Sequence, residues 1–83
     1  MILEEQGGKK VEFGTIRIRL GEVMAEKNVS KYKLGFDARM QSRQITAYCD
    51  NVMSKVDLDI LGRLCTVLDC EVGDLLEFVP PKE

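Results

Sequence analysis

The sequence predicts an all-α domain of five short helices that is preceded by an N-terminal arm or short strand. Three observations support this fold class. The chain has 83 residues, a length that suits one hydrophobic core rather than two. Its composition is 45% hydrophobic with few aromatic residues and no tryptophan, which indicates an aliphatic core. From residue 16 onwards, apolar residues recur at three- and four-residue spacing, which is typical of amphipathic helices.

The N-terminal quarter of the chain carries two competing patterns. Residues 1–14 contain three glycines and a short alternation at Val11 and Phe13, so we expect an arm or a short strand there. The first helix is predicted over residues 16–27, because its apolar residues would share one face: Ile16, Leu20, Val23 and Met24. Alternate residues from 16 to 20 are also apolar, so a strand over residues 11–20 is a competing interpretation.

Two short helices with a tight turn between them are predicted next. Ser30 is a good N-cap because its hydroxyl can accept a hydrogen bond from a first-turn amide, and Leu34 would face inward on the helix that follows. A third helix is predicted over residues 42–49, with an apolar face made of Ile45, Tyr48 and Cys49. With Met40 in the turn, Leu34 and Ile45 would be the two apolar anchors that a helix-turn-helix requires.

Two further helices complete the predicted domain. Asp57 or Asp59 opens the fourth helix, where a carboxylate is favourable at the positive end of the helix dipole. The apolar stripe of this helix is predicted at Leu58, Leu61, Leu64, Cys65 and Leu68. The fifth helix is predicted over residues 72–79, with Leu75, Leu76 and Val79 inward, and is ended by two prolines. We therefore expect one domain at residues 15–80 and a tail at 81–83.

Charge is distributed unevenly along the chain. The net charge is −2, but residues 27–55 contain six basic and two acidic residues, whereas residues 56–83 contain two basic and seven acidic residues. The middle third is therefore the candidate surface for an anionic partner such as nucleic acid. The acidic C-terminal third is a candidate surface for a protein partner.

The sequence favours no catalytic or cofactor site. It lacks histidine, a glycine-rich phosphate loop and a metal-ligand spacing, so we expect neither an enzyme nor a cofactor. Cys49, Cys65 and Cys70 form an odd set without a CxxC pair, which predicts core thiols in a reducing compartment. Without a signal-peptide pattern or a long apolar run, we expect a cytoplasmic protein that does not associate with membranes.

Three segments carry a resemblance to a known family. Residues 30–34 read S-K-Y-K-L, residues 57–65 read D-L-D-I-L-G-R-L-C, and residues 70–80 read C-E-V-G-D-L-L-E-F-V-P. Through these segments, residues 16–79 resemble the Cro and phage-repressor type helix-turn-helix of the Xre family, in its small single-domain subfamily. The resemblance implies a lambda-repressor-like bundle that binds double-stranded DNA as a transcriptional regulator, and a repressor is the expected role. This sequence departs from the pattern at Gly35, where alanine is usual, and at Arg39, where the turn glycine is expected and an arginine would be strained.

The resemblance also implies which residues contact DNA. The third helix would enter the major groove, where each base pair presents a distinct edge. Residues expected to face bases are Ser42, Arg43 and Ala47, with Gln41, Gln44 and Thr46 near base edges or phosphates. Residues expected to flank the groove and contact the DNA backbone are Lys31, Lys33, Asn51 and Lys55. Arg43 is the strongest candidate because a guanidinium can bind guanine through two hydrogen bonds, although each of these residues could also be an ordinary solvated side chain.

One small helix contacts few base pairs, so a homodimer on two half-sites is expected. The strand at residues 11–13 or the acidic last helix could form the dimer contact. The alternative function is a protein-interaction module, such as an antitoxin or an anti-repressor, that retains the helix-turn-helix fold and binds a partner through the acidic C-terminal third.

Overall fold

The computed structural model describes residues 11–81. Most of the predicted arm at residues 1–14 and most of the tail at 81–83 lie outside this range, and residues 11–14 contain neither helix nor strand. The elements follow one another as β1 (Thr15–Ile18), α1 (Leu20–Lys27), α2 (Lys31–Ala38), α3 (Ser42–Asp50), α4 (Leu58–Leu68), α5 (Val72–Leu75) and β2 (Leu76–Val79). The predicted bundle of five helices is confirmed, and a small two-stranded sheet accompanies it.

One hydrophobic core joins all five helices and β1. The side chains that are almost completely enclosed are Leu20, Leu34, Ile45, Tyr48, Leu64, Leu68 and Leu75. Both predicted anchors of the helix-turn-helix, Leu34 and Ile45, are fully buried, and Met40 in the turn is buried as well. The three cysteines are free, half-buried and packed against the core, as predicted. Burial raises the pKa of the Cys49 and Cys70 thiols, so both stay protonated and suit a packing role.

The sheet corrects the prediction at both ends of the domain. Residues 15–18 form a strand instead of the first turn of a helix, so the alternating pattern was the correct interpretation there and α1 begins only at Leu20. The predicted fifth helix ends at Leu75, because residues 76–79 pair with β1 in antiparallel register. The ladder continues beyond the strands through the Arg19 amide, which donates to the Leu75 carbonyl at 2.7 Å. Ile16 and Val79, both predicted to face inward, are therefore exposed at 59% and 37%.

The start of α4 is also different from the prediction in one position. Asp57 is the N-cap, and its carboxylate accepts hydrogen bonds from the amides of Asp59 and Ile60 at 2.8 and 3.4 Å. Leu58 is the first helical residue after this cap and is 80% exposed, whereas the stripe prediction placed it in the core. Ile60, which the stripe prediction omitted, takes the inward position of this first turn. Leu61, Leu64 and Leu68 are buried as predicted.

Each of the four longer helices ends at a residue in the left-handed conformation, and none of these residues is glycine. They are Asn28, Arg39, Asn51 and Asp69, with φ between 53° and 59°. In each case the following amide donates to the carbonyl five residues earlier, at distances from 2.9 to 3.3 Å. This hydrogen bond is the hallmark of the Schellman ending, in which glycine is the usual residue because it carries no Cβ penalty.

Candidate nucleic-acid interface

The helix-turn-helix consists of α2, a three-residue turn at Arg39–Gln41, and α3. The Ser30 hydroxyl accepts a hydrogen bond from the Lys33 amide at 3.1 Å, which confirms the predicted N-cap of α2. At the start of α3, the Gln44 side chain accepts from the Gln41 amide at 2.9 Å. These local hydrogen bonds satisfy amides that the first turn of a helix leaves without a partner. They fix where each helix begins, and therefore how α3 projects from the body of the protein.

The turn between α2 and α3 keeps a left-handed residue although it lacks the glycine expected there. Arg39 occupies the left-handed region at φ 58°, and the Met40 amide donates to the Gly35 carbonyl at 3.0 Å. A Cβ added at Gly35 would lie 3.0 Å from the Met40 carbonyl oxygen and 3.4 Å from the Cδ1 of Ile45. Gly35, where alanine is usual, therefore lets the turn pack closely on α2, while Arg39 holds a strained backbone that glycine would adopt freely.

Arg63 joins α4 to the end of α2, and the sequence analysis did not single it out. Its guanidinium donates to the carbonyls of Ala38 and Arg39 at 3.3 and 3.2 Å and forms an ion pair with Asp59 at 2.7 Å. Carbonyls at a helix C-terminus have no partner within the helix, so a cation that binds them stabilises that end. The four-residue spacing of Asp59 and Arg63 was a signal for the ion pair but not for the contact with the turn.

Four of the predicted DNA-contacting residues line one shallow groove. The groove runs between the outer face of α3 and the loop that precedes α4, and the candidates in its wall are Arg43, Gln44, Ala47 and Lys55. A second depression between α2 and the start of α3 contains Lys31 and Ser42. The Lys31 ammonium donates to the Thr46 hydroxyl at 2.8 Å, which links α2 to the side of α3. The structure thus brings most of the predicted site together around α3.

Two predicted residues are already engaged elsewhere. Lys33 forms an ion pair with Asp37 on its own helix at 2.7 Å and lies in neither depression with α3. The amide of Asn51 binds the backbone of Ile18: its Oδ1 accepts from the Ile18 N–H at 2.6 Å, and its Nδ2 donates to the Ile18 carbonyl at 2.9 Å. Asn51 therefore holds the C-terminal end of α3 against β1, as a neighbouring strand would. Their predicted contacts with DNA stay predictions.

Three basic side chains in the turn, on α3 and after α3 have no partner for their own charge in the part of the chain that the structure describes. Within residues 11–81, Arg39, Arg43 and Lys55 make no ion pair and no side-chain hydrogen bond. All three are exposed, and they lie in the turn, on α3 and in the loop after α3. Cations without an internal partner are available to phosphate oxygens or base edges. Arg39 was not among the predicted site residues, because the sequence presents it as a misfit in the turn.

No helix within residues 11–81 combines the length and the hydropathy that a membrane span requires.

Comparisons with solved structures agree on this fold. A candidate DNA-binding protein from Bacteroides fragilis has a TM-score of 0.68 at 24% identity, over 76% of this chain and 100% of that one. The transcriptional regulator VanUg has a TM-score of 0.66 at 18% identity, over 90% and 99%. A chain of the SinR protein/SinI protein complex has a TM-score of 0.62 at 21% identity, over 68% of this chain and 54% of that one. No curated protein sequence is significantly similar to the chain.

These likenesses concern the backbone, and the family follows from the sequence itself. Residues 19–81 match the family model of the Cro/C1-type helix-turn-helix DNA-binding domain, a range that begins just before α1 and ends after β2. It contains the turn at Arg39, the groove along α3 and the Arg63 contact that supports them. The chain belongs to the family of Cro/C1-type helix-turn-helix DNA-binding domains.

Proposed function

We propose that the protein is a transcriptional repressor that binds a specific double-stranded DNA site as a homodimer, with α3 in the major groove. The observation that carries the proposal is that Arg43 and Lys55, both exposed and without a side-chain partner within residues 11–81, line the groove along α3. An α-helix fits the major groove, where side chains at its N-terminal end can reach base edges. Ser42, Arg43 and Gln44 occupy that end and are exposed.

The proposed roles follow from position. Arg43 binds a guanine edge, Ala47 contacts a base surface beside it, and Lys55 binds a phosphate at the edge of the groove. Arg39, which lines a separate depression with Asp59 and Arg63 of α4, binds a phosphate beside the turn. Lys31, with Thr46 as its hydrogen-bond partner, binds the backbone beside α2. Repression needs only occupancy of a site that the transcription machinery must use, so this role requires no surface beyond the DNA interface. A two-fold dimer would read half-sites about 34 Å apart.

The proposal is tested by fluorescence anisotropy with a pool of random duplexes at two salt concentrations, followed by sequencing of the bound fraction. We expect an enriched, near-palindromic site and an affinity that falls steeply with salt. Arg43→Ala should relax the preference at one base position of each half-site by about 1–3 kcal/mol. Lys55→Ala should weaken binding to all duplexes alike.

Lys27→Ala is the matched control for Lys55→Ala. It removes the same charge from the end of α1, where Lys27 donates to the Asp69 carbonyl at 3.2 Å, outside both depressions. Equal losses for both lysine variants, or no binding at low salt, would contradict the proposed interface.

A second candidate function is protein binding without DNA recognition. The family fold occurs in SinR, which is found in a complex with the SinI protein. In the present chain the acidic C-terminal third supplies β2, whose Phe78 is 62% exposed. Under this alternative, affinity for DNA is weak and the Arg43→Ala variant behaves as the wild type in every duplex assay, whereas substitutions in β2 abolish partner binding.

A further inference from the structure

Two of the three cysteines meet where α4 ends. Cys65 lies in the last turn of α4, and Cys70 directly follows the left-handed residue Asp69. A spacing of five residues does not place two side chains together on a continuous helix, where the neighbours are three or four residues apart. The helix, however, ends between the two cysteines in a Schellman motif, whose closing hydrogen bond runs from the Cys70 amide to the Cys65 carbonyl at 3.1 Å. Cys65 and Cys70 are hereafter called the cysteine pair.

The closing hydrogen bond limits the distance between the two Cα atoms of the cysteine pair. The path between them runs through the carbonyl oxygen of Cys65 and the nitrogen of Cys70, and standard bond lengths make it about 7 Å long when it is straight. The path bends at the nitrogen, because the N–H and N–Cα bonds point in different directions, so the Cα atoms are closer than this. A disulfide can join Cα atoms up to about 7 Å apart without movement of the backbone. The backbone of the cysteine pair is therefore within reach of a disulfide.

The side chains of the cysteine pair also face one another. In a Schellman motif, the residue after the left-handed position packs against the residue five positions earlier, which here places Cys70 on Cys65. Both thiols are free, half-buried and packed against the core. Burial raises the pKa of the Cys70 thiol, and the adjacent Cys65 thiol raises it further, so the two sulfur atoms are close enough to affect each other. The Cys49 thiol lies elsewhere, with its Sγ 3.8 Å from a Cβ added at Gly21 on α1.

We propose that the cysteine pair is a site of reversible oxidation, at which hydrogen peroxide converts the two thiols to an intramolecular disulfide. In the first step one sulfur attacks the peroxide: an S–O bond forms, the O–O bond breaks and water leaves, which gives a sulfenic acid. In the second step the other sulfur attacks the sulfenic sulfur: an S–S bond forms, the S–O bond breaks, and the hydroxyl leaves as water with the proton of the second thiol. The two thiols lose two electrons and two protons in total, and one hydrogen peroxide becomes two waters. A thiol reductant returns the cysteine pair to its original state by exchange.

The surroundings of the cysteine pair set when it reacts and what the disulfide joins. Burial keeps the Cys70 thiol protonated at neutral pH, so the pair stays reduced until a strong oxidant is present. The disulfide closes the turn at Asp69 covalently and thereby holds the segment that carries α5 and β2 to the end of α4. The groove along α3 has none of these residues in its wall, so this site is independent of the proposed recognition of DNA.

The test is treatment of the folded full chain with hydrogen peroxide, followed by mass spectrometry of the intact protein and of its tryptic peptides. Trypsin leaves Cys65 and Cys70 together in the peptide 64–82 and places Cys49 in the peptide 44–55. The wild type should lose about 2 Da, all of it in the peptide 64–82, and a thiol reductant should restore the mass. Cys49→Ser is the matched control and should lose the same mass. Cys65→Ser and Cys70→Ser should not lose it, and the remaining thiol should gain oxygen instead.

Three outcomes would overturn the proposed site. They are a wild-type peptide 64–82 that loses no mass, oxidation of Cys49 while the cysteine pair stays reduced, and disulfide-linked dimers as the main product on a non-reducing gel. Circular dichroism establishes that each variant is folded, and if one serine variant does not fold, the other supplies the same comparison. None of these outcomes bears on DNA recognition, which the duplex assays test separately.

Discussion

The basic side chains of β1 and α1 contrast with those around α3. Arg17 contacts both Glu22 and Glu77 at 2.7 Å, and Arg19 contacts Glu22 at 2.7 Å and the Asp74 carbonyl at 2.9 Å. Arg43 has no such partner within residues 11–81. Arginines that cross-link the sheet to α1 and α5 serve the fold, whereas an unpaired arginine on an exposed helix is available to a ligand. The number of basic residues in a segment is therefore a weaker guide to a DNA interface than the partners of each residue.

The largest expected effect lies on the buried side of α3, where the same helix serves the fold. Ile45→Ala removes a fully buried anchor and should lower the free energy of unfolding by about 2–5 kcal/mol. Urea denaturation measures this loss. Arg43→Ala, on the outer side of the helix, should change stability by less than about 0.5 kcal/mol while it alters DNA specificity. If Arg43→Ala were the more destabilising variant, the division between the two sides of α3 would be wrong.

A smaller loss of stability is expected at Asn51, where the end of α3 contacts β1. Asn51→Gly removes both hydrogen bonds to Ile18 while it keeps a residue suited to the left-handed backbone, so stability should fall by about 1–3 kcal/mol. Asn28→Gly makes the same change at the end of α1, at an equally left-handed residue, and should be neutral or slightly stabilising. Thermal melts compare the pair. Equal melting temperatures for the two variants would mean that the Asn51 amide contributes nothing to the fold.

Arg39 offers a case in which the fold and the ligand favour different residues. Arg39→Gly relieves the conformational cost of a left-handed non-glycine residue, which is about 1–2 kcal/mol. Glycine also makes the unfolded chain more flexible, which lowers the free energy of unfolding by about 0.5–1 kcal/mol. We expect a net gain of about 0–1.5 kcal/mol in stability together with weaker binding to all duplexes and a smaller salt dependence. Asp69→Gly, at the end of α4, should bring a smaller gain, since aspartate tolerates the left-handed region better than arginine, without any change in DNA affinity. A stabilised Arg39→Gly variant with unchanged affinity would exclude a phosphate contact.

The smallest effect on stability is expected at the ion pairs that Arg17 and Arg19 form with Glu22. Hydrogen bonds from Arg17 and Arg19 lower the pKa of the Glu22 carboxyl from 4.5 to about 2. A carboxyl whose pKa is lowered on folding binds its proton more readily in the unfolded chain, so its contribution is complete above pH 4.5 and is lost as the pH falls towards 2. Melting temperatures of Glu22→Gln should therefore be less sensitive to pH in this window than those of the wild type. Glu26→Gln, which alters a longer 3.4 Å contact with Arg19, is the control and should keep the pH dependence of the wild type.

The helix-turn-helix itself could be predicted from local signals. The Ser30 cap, the spacing of Leu34 and Ile45, and the Asp57 cap each act within one or two helical turns, and all of them occur as predicted. The family pattern reinforced these signals. The pattern marked position 39 as one where glycine is expected but left the conformation of Arg39 open, and the structure shows that the arginine adopts the positive φ.

What the sequence analysis missed depends on contacts between distant residues. Residues 15–18 and 76–79 lie at opposite ends of the domain; alternation allowed a strand at the first segment, but nothing in the sequence indicated that the second would be its partner. The Asn51 contact with Ile18 spans 33 residues, and the Arg63 contact with Arg39 spans 24. Periodicity within a window of the sequence carries no information on such pairs. The groove along α3 could be anticipated from the family resemblance. Which basic side chains have ion-pair partners within the chain could not.

The buried hydroxyl of Tyr48 has a consequence for the dynamics of α3. Tyr48 is 2% exposed, and its hydroxyl finds no hydrogen-bond partner within residues 11–81. A polar group without a partner is less stable in the core than in water, so transient detachment of α3 relieves this cost when the hydroxyl is hydrated. Tyr48→Phe removes this cost and should therefore slow the amide hydrogen exchange of α3. The helix that carries the proposed DNA contacts would thereby give up part of its stability for easier local opening.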